Sequence, residues 1–318
     1  MYKKKTVGIV VPAYNVSSLI GRVIETTPAF IDRLVIVDDA SKDETVKVIE
    51  NYQKKDRRIL LIKHPQNQGV GGAIATGYKW CRDNKIDIAV VMAGDAQMDP
   101  ADLPALLDPV VANKVDYCKG NRLFTGDAWN KIPRTRYLGN SALSLLTKIA
   151  SGYWHLADSQ CGYTATNRKV LQTIDWDQMY KRYGMPNDLL VRLNIYSFRV
   201  TDVPVKPVYH IGEKSGFKAI WMIPRLSVLL TRLFFFRMFQ KYVIRDFHPL
   251  VLFYFIGFLL TLVDILFLVR FFIRWDSTGQ VPEVTLLTII FCTFSAIQLY
   301  LFAMLFDMEA NKQLKIND

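Results

Sequence analysis

Short apolar runs and longer amphipathic stretches alternate through the first third of the chain. Val7–Val11, Leu34–Val37, Ile59–Ile62 and Ile88–Met92 are β-branched-rich runs, too short for helices and bounded by turn residues. Helices are expected between them, over Ser18–Thr26, from Ser41 to about Lys54, and from the glycine-rich Gln68-Gly-Val-Gly-Gly72 to Asn84. Ser41-Lys-Asp-Glu44 has the spacing of a capping box. Continuous apolar strands separated by helices predict an α/β fold with a mostly parallel sheet covered on both faces. The stretch 103–202 mixes helices with short strands and is expected to complete that sheet.

The pattern changes after about Tyr209, where Phe, Leu, Ile and Val crowd together. Leu250–Phe272 and Val284–Phe306 each run about 23 residues, nearly all apolar around the helix and enough to cross roughly 30 Å of hydrocarbon. The polar segment Arg274-Trp-Asp-Ser-Thr-Gly-Gln-Val-Pro282 between them predicts a turn, and so an antiparallel transmembrane hairpin. A helical hairpin buried in a soluble protein is the competing reading. Upstream, Lys218, Arg225 and Arg232 fall on one helical face, while Arg237, Lys241 and Arg245 fall on another. With Pro224 near its start, the segment reads as interfacial amphipathic helices with a bend. Asp264 lies inside the first span, where a carboxylate needs a partner. Arg270 is too far along the helix for an ideal pair, which leaves a polar cavity or a neighbouring subunit as options for that carboxylate. The expected organisation is a soluble domain over 1–216, interfacial helices over 217–248 and the hairpin over 249–318.

Charge refines this picture. The chain of 318 residues carries a net charge of +11. Many cations flank the apolar segments, which suits anionic lipid headgroups better than nucleic acid. By the positive-inside rule the soluble domain and both chain ends are expected on the cytoplasmic side of the inner (plasma) membrane. The first apolar run, Val7–Pro12, is too short and too promptly broken for a signal peptide. Four cysteines, Cys81, Cys118, Cys161 and Cys292, show no metal spacing and read as free thiols.

Candidate chemistry sits where an α/β sheet binds its ligands, at the carboxyl ends of the strands. The first strand ends in Pro12-Ala-Tyr-Asn15, the second in Asp38-Asp39-Ala-Ser41, and the fourth in Gly94-Asp95-Ala-Gln97-Met-Asp99. One aspartate at a strand end is usually a helix cap, but three polar clusters predict a shared crevice. Gly120-Asn-Arg122, Arg134-Thr-Arg136, Asp158-Ser-Gln-Cys-Gly162 and Asn187-Asp188 follow in the next region.

Val11-Pro-Ala-Tyr-Asn15, Val37-Asp-Asp-Ala-Ser-Lys-Asp43, Asn67-Gln-Gly-Val-Gly-Gly-Ala73 and Gly94-Asp-Ala-Gln-Met-Asp-Pro100 occur in the order seen in family 2 glycosyltransferases. Residues 5–216 with the trailing hairpin resemble the bacterial two-span branch of the polyprenyl-phosphate glycosyltransferases, the relatives of dolichyl-phosphate mannose synthase. The resemblance implies a GT-A fold. It also implies transfer of a monosaccharide, with inversion, from a nucleotide-sugar to a polyprenyl phosphate, as a donor for cell-envelope glycans or protein glycosylation. A UDP-sugar is the preferred donor and GDP-mannose a second option.

By the same resemblance Pro12, Ala13, Tyr14, Asn15, Asp38, Asp39 and Gly69 bind the nucleotide, with Asp39 bonded to the base. Asp95 and Gln97 hold Mg²⁺ or Mn²⁺, hard ions suited to oxygen ligands. Val16 replaces a glutamate common in relatives, and Ala93 replaces the usual aspartate two residues before Asp95. Asp99 is expected to cap the following helix. Arg122 contacts the donor. Arg134, Arg136 and Asn140 hold the acceptor phosphate, and His210 or Lys214 supplies a further donor-phosphate contact. The acceptor phosphate has a second pKa of about 6 and is largely anionic at neutral pH, so it needs no strong base. Asp158 and Asp188 then orient sugar hydroxyls or close the site. With an alcohol acceptor one of them would have to be a base.

Two rivals remain at this stage. One is a transferase acting on a lipid-linked sugar or polysaccharide. Gln178-Met-Tyr-Lys-Arg182-Tyr183 echoes the processive Gln-x-x-Arg-Trp motif without its tryptophan, and only two spans follow. The other is a non-catalytic scaffold that binds nucleotide-sugar. Two lone spans also favour a homo-oligomer.

Overall fold

A computed structural model describes residues 1–123, 134–206, 208 and 219–316, with the backbone alone at 134–138, 140 and 219–223. The described chain divides into two compact units, 1–234 with 313–318, and 235–312.

The first unit is built on a seven-stranded sheet. Its strands are β1 (Val7–Ala13), β2 (Arg33–Asp38), β3 (Ile59–Lys63), β4 (Ile88–Val91), β5 (Tyr117–Asn121), β6 (Thr164–Asn167) and β7 (Val200–Pro204). The order is β3-β2-β1-β4-β6-β5-β7. The β1, β2, β3 and β4 pairings are parallel, as is β5 with β7, and β6 runs antiparallel to both of its neighbours. This is a GT-A-like mixed sheet, mostly parallel as the four apolar runs predict.

The helices are α1 (Ile20–Thr26), α2 (Thr45–Gln53), α3 (Val70–Asp83), α4 (Leu103–Val111), α5 (Arg134–Ser151), α6 (Arg168–Thr173), α7 (Met185–Ile195) and α8 (Ala219–Phe239). Strand side chains alternate between two faces, so each continuous apolar run feeds two cores at once. Ile9, Val11, Leu34, Ile36, Ile88 and Val90 pack with α1, α2 and α4 on one face. Val10, Val35, Val37, Ala89 and Val91 pack with α3, α6 and α7 on the other. Each fully buried Val or Ile contributes about 1.5–3 kcal/mol. Within this unit, the first part of α8 packs Leu229 and Leu233 against Val191 and Ile195 of α7.

The capping-box expectation is corrected. The Ser41 hydroxyl turns to accept from the Asn15 amide at 3.0 Å. Asp43 instead accepts from the Thr45 amide at 3.1 Å and from the Thr45 hydroxyl at 2.5 Å, so α2 starts at Thr45. The hydroxyl had a stronger use across the strand ends than in its own helix.

The second unit holds α9 (Leu250–Thr278) and α10 (Glu283–Ala310), both long and apolar enough to cross a membrane. Their best windows have mean hydropathies of 2.5 and 2.1. At 1.5 Å per residue each is roughly 42 Å long. The first helix runs beyond the expected end at Phe272, because Ser277 and Thr278 bond back to the Arg274 carbonyl and sustain another turn. Gly279, at φ +65°, then ends it.

Asp264 accepts from the Thr293 hydroxyl at 2.7 Å within the hairpin, while its Oδ1 has no bond among the described residues. One expectation about charges fails here. Arg237 and Lys241 do not face lipid headgroups. Arg237 is fully buried and grips Asp307 with two bonds of 2.7 and 3.0 Å, while Lys241 donates to Asn311 at 2.7 Å. Tyr242 adds a bond to Asp307 at 2.7 Å. Burial, then the adjacent Arg237 charge, lowers the Lys241 ammonium to about 7. The segment from 219 on is one helix with Pro224 inside it, ending in a π-helical turn over Gln240–Arg245.

Candidate active site

All the parallel strands end at the same edge of the sheet, and the antiparallel β6 begins there. That edge collects Tyr14 and Asn15 after β1, Asp38 and Asp39 at the end of β2, Asp95 and Gln97 after β4, Arg122 after β5, and Lys206 after β7.

The β1 and β2 ends are laced together. Asn15, held at φ +52°, accepts from the Lys42 amide at 2.8 Å. Ala13 is buried and Pro12 half-buried, and Tyr14 leaves 45% of its surface exposed. Asp38 is buried, accepts from the Ser41 amide at 3.2 Å, and keeps its Oδ1 without a bond among the described residues.

Asp39 is committed to the protein. Its Oδ1 bonds His64 Nδ1 and the Gln68 amide, both at 2.8 Å, and its Oδ2 takes the Gly69 amide at 2.7 Å. His64 is braced in turn by Thr76 at 2.9 Å. This knot shapes the glycine-rich turn into α3. Gly69, at φ +87°, and Gly71 lie so close to the chain at Tyr180–Lys181 that a Cβ would approach the Lys181 and Tyr180 carbonyls to 2.5 and 2.3 Å. Their visible role is to let that segment pack on the N-terminus of α3, where Gly72 donates to Lys181 at 3.1 Å.

The other half of the edge forms a small, partly open cavity of about 50 Å³ lined by Asp95, Gln97, Met98, Arg122, Cys161, Gly162, Tyr163 and Lys206, among others. Asp95 Oδ1 accepts from the Gln97 amide at 3.1 Å, folding a turn that presents both side chains. Asp99 accepts from the Ala101 amide at 2.9 Å and caps the short helix Pro100–Asp102, as its place before proline predicts.

Arg122 is locked to the buried Asp158, with Nε to Oδ2 at 2.7 Å and Nη2 to Oδ1 at 3.1 Å. Burial opposes the Asp158 charge. The Arg122 guanidinium and its bonds, with the Lys119 ammonium, outweigh it and hold the carboxyl below its usual range. Beneath them Lys119 is fully buried and donates to the Cys161 carbonyl, and burial lowers its pKa. Asn121 bonds Asp202 at 2.9 Å.

Asp188 does not line this cavity. It accepts from the Tyr180 amide at 2.8 Å and from Arg192 at 3.0 Å, and burial raises its pKa. Through Tyr180 it fixes the segment that covers the glycine-rich turn. The backbone of Arg134, Arg136 and Asn140 lies in α5, but their side chains fall outside the described residues. His210 and Lys214 lie outside them altogether.

Three participants escaped sequence reading. Lys206 follows β7 by two residues, and that strand, Val-Thr-Asp-Val-Pro, has no continuous apolar run to mark its end. Lys119 and His64 were hidden, because a buried lysine or an aspartate–histidine pair 25 positions apart leaves no local pattern.

Asp95 and Gln97 offer one carboxylate and one amide, both hard oxygens. Among the described residues no group of three His, Cys, Asp or Glu could hold an ion. This set fits a divalent cation that takes its remaining ligands from substrate phosphates.

The sheet and the edge cluster define a GT-A-type glycosyltransferase. Residues 8–175, more than half of the chain, match the glycosyl transferase family 2. The chain belongs to that family. It is 30% identical over 218 residues to the UDP-N-acetylglucosamine–dolichyl-phosphate N-acetylglucosaminyltransferase of Methanococcus voltae, covering 64% of this chain and 86% of that one. It is 30% identical over 212 residues to the undecaprenyl-phosphate mannosyltransferase of Micrococcus luteus, covering 65% and 85%. Among solved structures, glucosyl-3-phosphoglycerate synthase from Mycobacterium tuberculosis, in complex with Mn²⁺, UDP-glucose and phosphoglyceric acid, superposes with a TM-score of 0.55 at 18% identity. That match covers 74% of this chain and 80% of the synthase, and it concerns the fold.

Proposed function

We propose that this enzyme transfers a monosaccharide from a nucleotide-sugar to a polyprenyl phosphate at a membrane surface, with inversion. The observation that carries the reading is the pairing of one carboxyl-edge cavity, lined by Asp95, Gln97, Arg122 and Lys206, with two membrane-length helices. The names of the two 30%-identical relatives support the acceptor class.

In this reading Tyr14 stacks on the base, with Pro12, Ala13, Asn15 and Asp38 shaping the nucleotide end of the crevice. Asp39 and Gly69 act indirectly, by holding the turn. Asp95 and Gln97 would hold Mg²⁺ or Mn²⁺, which would offset charge on the departing diphosphate. Arg122, kept in one orientation by Asp158, meets the donor phosphates from the opposite wall as a rigid cation. Lys206 adds a second cation at the rim.

An oxygen of the acceptor phosphate attacks the anomeric carbon from the face opposite the leaving group. The bond from that carbon to the nucleotide's phosphate oxygen breaks, and the nucleoside diphosphate departs. No residue has to remove a proton, because the attacking phosphate is already anionic. The engaged carboxylates of Asp158 and Asp188 favour closing the site over orienting sugar hydroxyls. Arg134, Arg136 and Asn140 belong to the acceptor phosphate, and His210 or Lys214 to the donor. In this reading the catalytic unit works at the cytoplasmic face of the inner membrane, where the acceptor's headgroup lies, and the two apolar helices support the membrane association.

Thermal shift against a panel of nucleotide-sugars with Mn²⁺ tests the donor half. A preferred donor, expected to be a UDP-sugar, should raise the melting temperature through linkage. Asp95→Ala should lose the Mn²⁺-dependent part of that rise while keeping its ligand-free melting point. No rise with any donor would contradict the assignment.

A further inference from the structure

A lysine in the middle of a buried strand is costly unless its charge is matched. Lys119 lies fully buried in β5, in register with Thr164 of β6 and Asp202 of β7. Residues in register on paired strands point to the same face, so the side chains of Lys119 and Asp202 are neighbours. The Lys119 ammonium donates to the Cys161 carbonyl. Burial lowers its pKa, while Cys161, Asp158 and Asp202 oppose that fall.

Four charged groups meet here, Lys119 and Arg122 against Asp158 and Asp202. Arg122 holds Asp158 through bonds of 2.7 and 3.1 Å. Asp202 Oδ2 accepts from two neutral donors, the Asn121 side chain and the Ala157 amide, both at 2.9 Å. With Lys119 charged the group sums to zero. Without it, one net negative charge stays buried behind Arg122, the member of the four that lines the cavity. An apolar residue at 119 would avoid the cost of burying a cation. It would also leave a negative charge behind the wall that meets the donor phosphates. A unit charge about 10 Å from a metal-bound diphosphate of net charge about −1 changes binding roughly tenfold at an effective dielectric of about 20.

We propose that Lys119 is a positioning residue for donor binding, supplying the second cation against Asp158 and Asp202 so that the charge of Arg122 acts on the donor's diphosphate. The inference rests on the reading of the cavity as the donor-phosphate site. It adds to that reading a buried group that touches no substrate and works through Arg122.

The test uses the purified full chain with Mn²⁺, titrated with UDP and, by displacement, with uridine, which lacks the phosphates. GDP and guanosine replace them if the wild type takes only those. Four forms step the buried charge. Lys119→Met makes it −1, the wild type and the double variant Lys119→Met/Asp202→Asn leave it at zero, and Asp202→Asn makes it +1. Both bonds to Asp202 end on one oxygen, so Asp202→Asn can keep them.

Affinity for the diphosphate should fall about tenfold in Lys119→Met, return to within about twofold of wild type in the double variant, and rise in Asp202→Asn. Affinity for the nucleoside should stay within about twofold throughout, because no phosphate is there to feel the charge. If Lys119→Met alone does not fold, the double variant and Asp202→Asn make the same comparison. Diphosphate affinity that ignores the charge steps, or nucleoside affinity that falls with it, overturns the proposal and leaves Lys119 a packing residue. In that case diphosphate binding by the wild type still upholds the donor site. A wild type that binds neither UDP nor GDP brings down both.

Discussion

Arg122 and Asp158 show how a charged residue becomes a fixed tool. The guanidinium could occupy many rotamers, and two bonds to a buried carboxylate leave it one. Asp158→Asn keeps the shape and removes the charge, leaving the cation unopposed, and should cost about 2–4 kcal/mol of stability. The pH dependence has a definite sign. The folded carboxyl titrates below its ordinary value of about 3.9, so its contribution is complete above that value and is lost as pH falls through the lower folded one. The melting-point gap between wild type and Asp158→Asn should therefore be constant from pH 7 to about pH 4 and shrink in stronger acid. A gap that does not change with pH would show that the charge is not what stabilises the pair. The sequence singles out Asp95 and Gln97 because they close the polar cluster after the apolar run Ile88–Met92, and Arg122 through the family resemblance. Asp39 and Asp188 lie in polar clusters that the sequence singles out, but their bonding does not follow from it. Their partners, His64 with the Gly69 amide and Arg192 with the Tyr180 amide, come from folding rather than from local spacing.

At the scale of elements, local pattern decided most of what was readable. The strands β1 to β4 follow from β-branched runs, and each lies within one or two residues of expectation. The antiparallel β6 did not show, because Thr-Ala-Thr-Asn has neither an apolar run nor a turn signal, and it is held by neighbours on both sides. Arg237 and Lys241 misled for a related reason. A cation before an apolar span usually faces headgroups, but Asp307 and Asn311, 70 positions later, draw these two inward. Arg237 and Asp307 are both fully buried, so removing one leaves an uncompensated charge. Asp307→Ala should destabilise the hairpin unit by about 3–5 kcal/mol, seen as a lower melting temperature in detergent. An unchanged melting temperature would mean that the knot adds nothing to the unit.

For the molecule as a whole, the account joins a family 2 catalytic unit to a pair of helices suited to a bilayer. Each part alone permits other chemistry. A GT-A unit can serve soluble acceptors, and an apolar hairpin can anchor any enzyme. Together with the cations at the carboxyl edge they indicate an acceptor that is both lipid and phosphate. The direct measurement is transfer by the purified full chain, using radiolabelled nucleotide-sugars, Mn²⁺ and a short-chain prenyl phosphate, with the matching prenol in parallel. The account predicts a chloroform-soluble labelled product with the phosphate and none with the prenol. Labelled lipid from the prenol, or from neither acceptor with any donor, would contradict it.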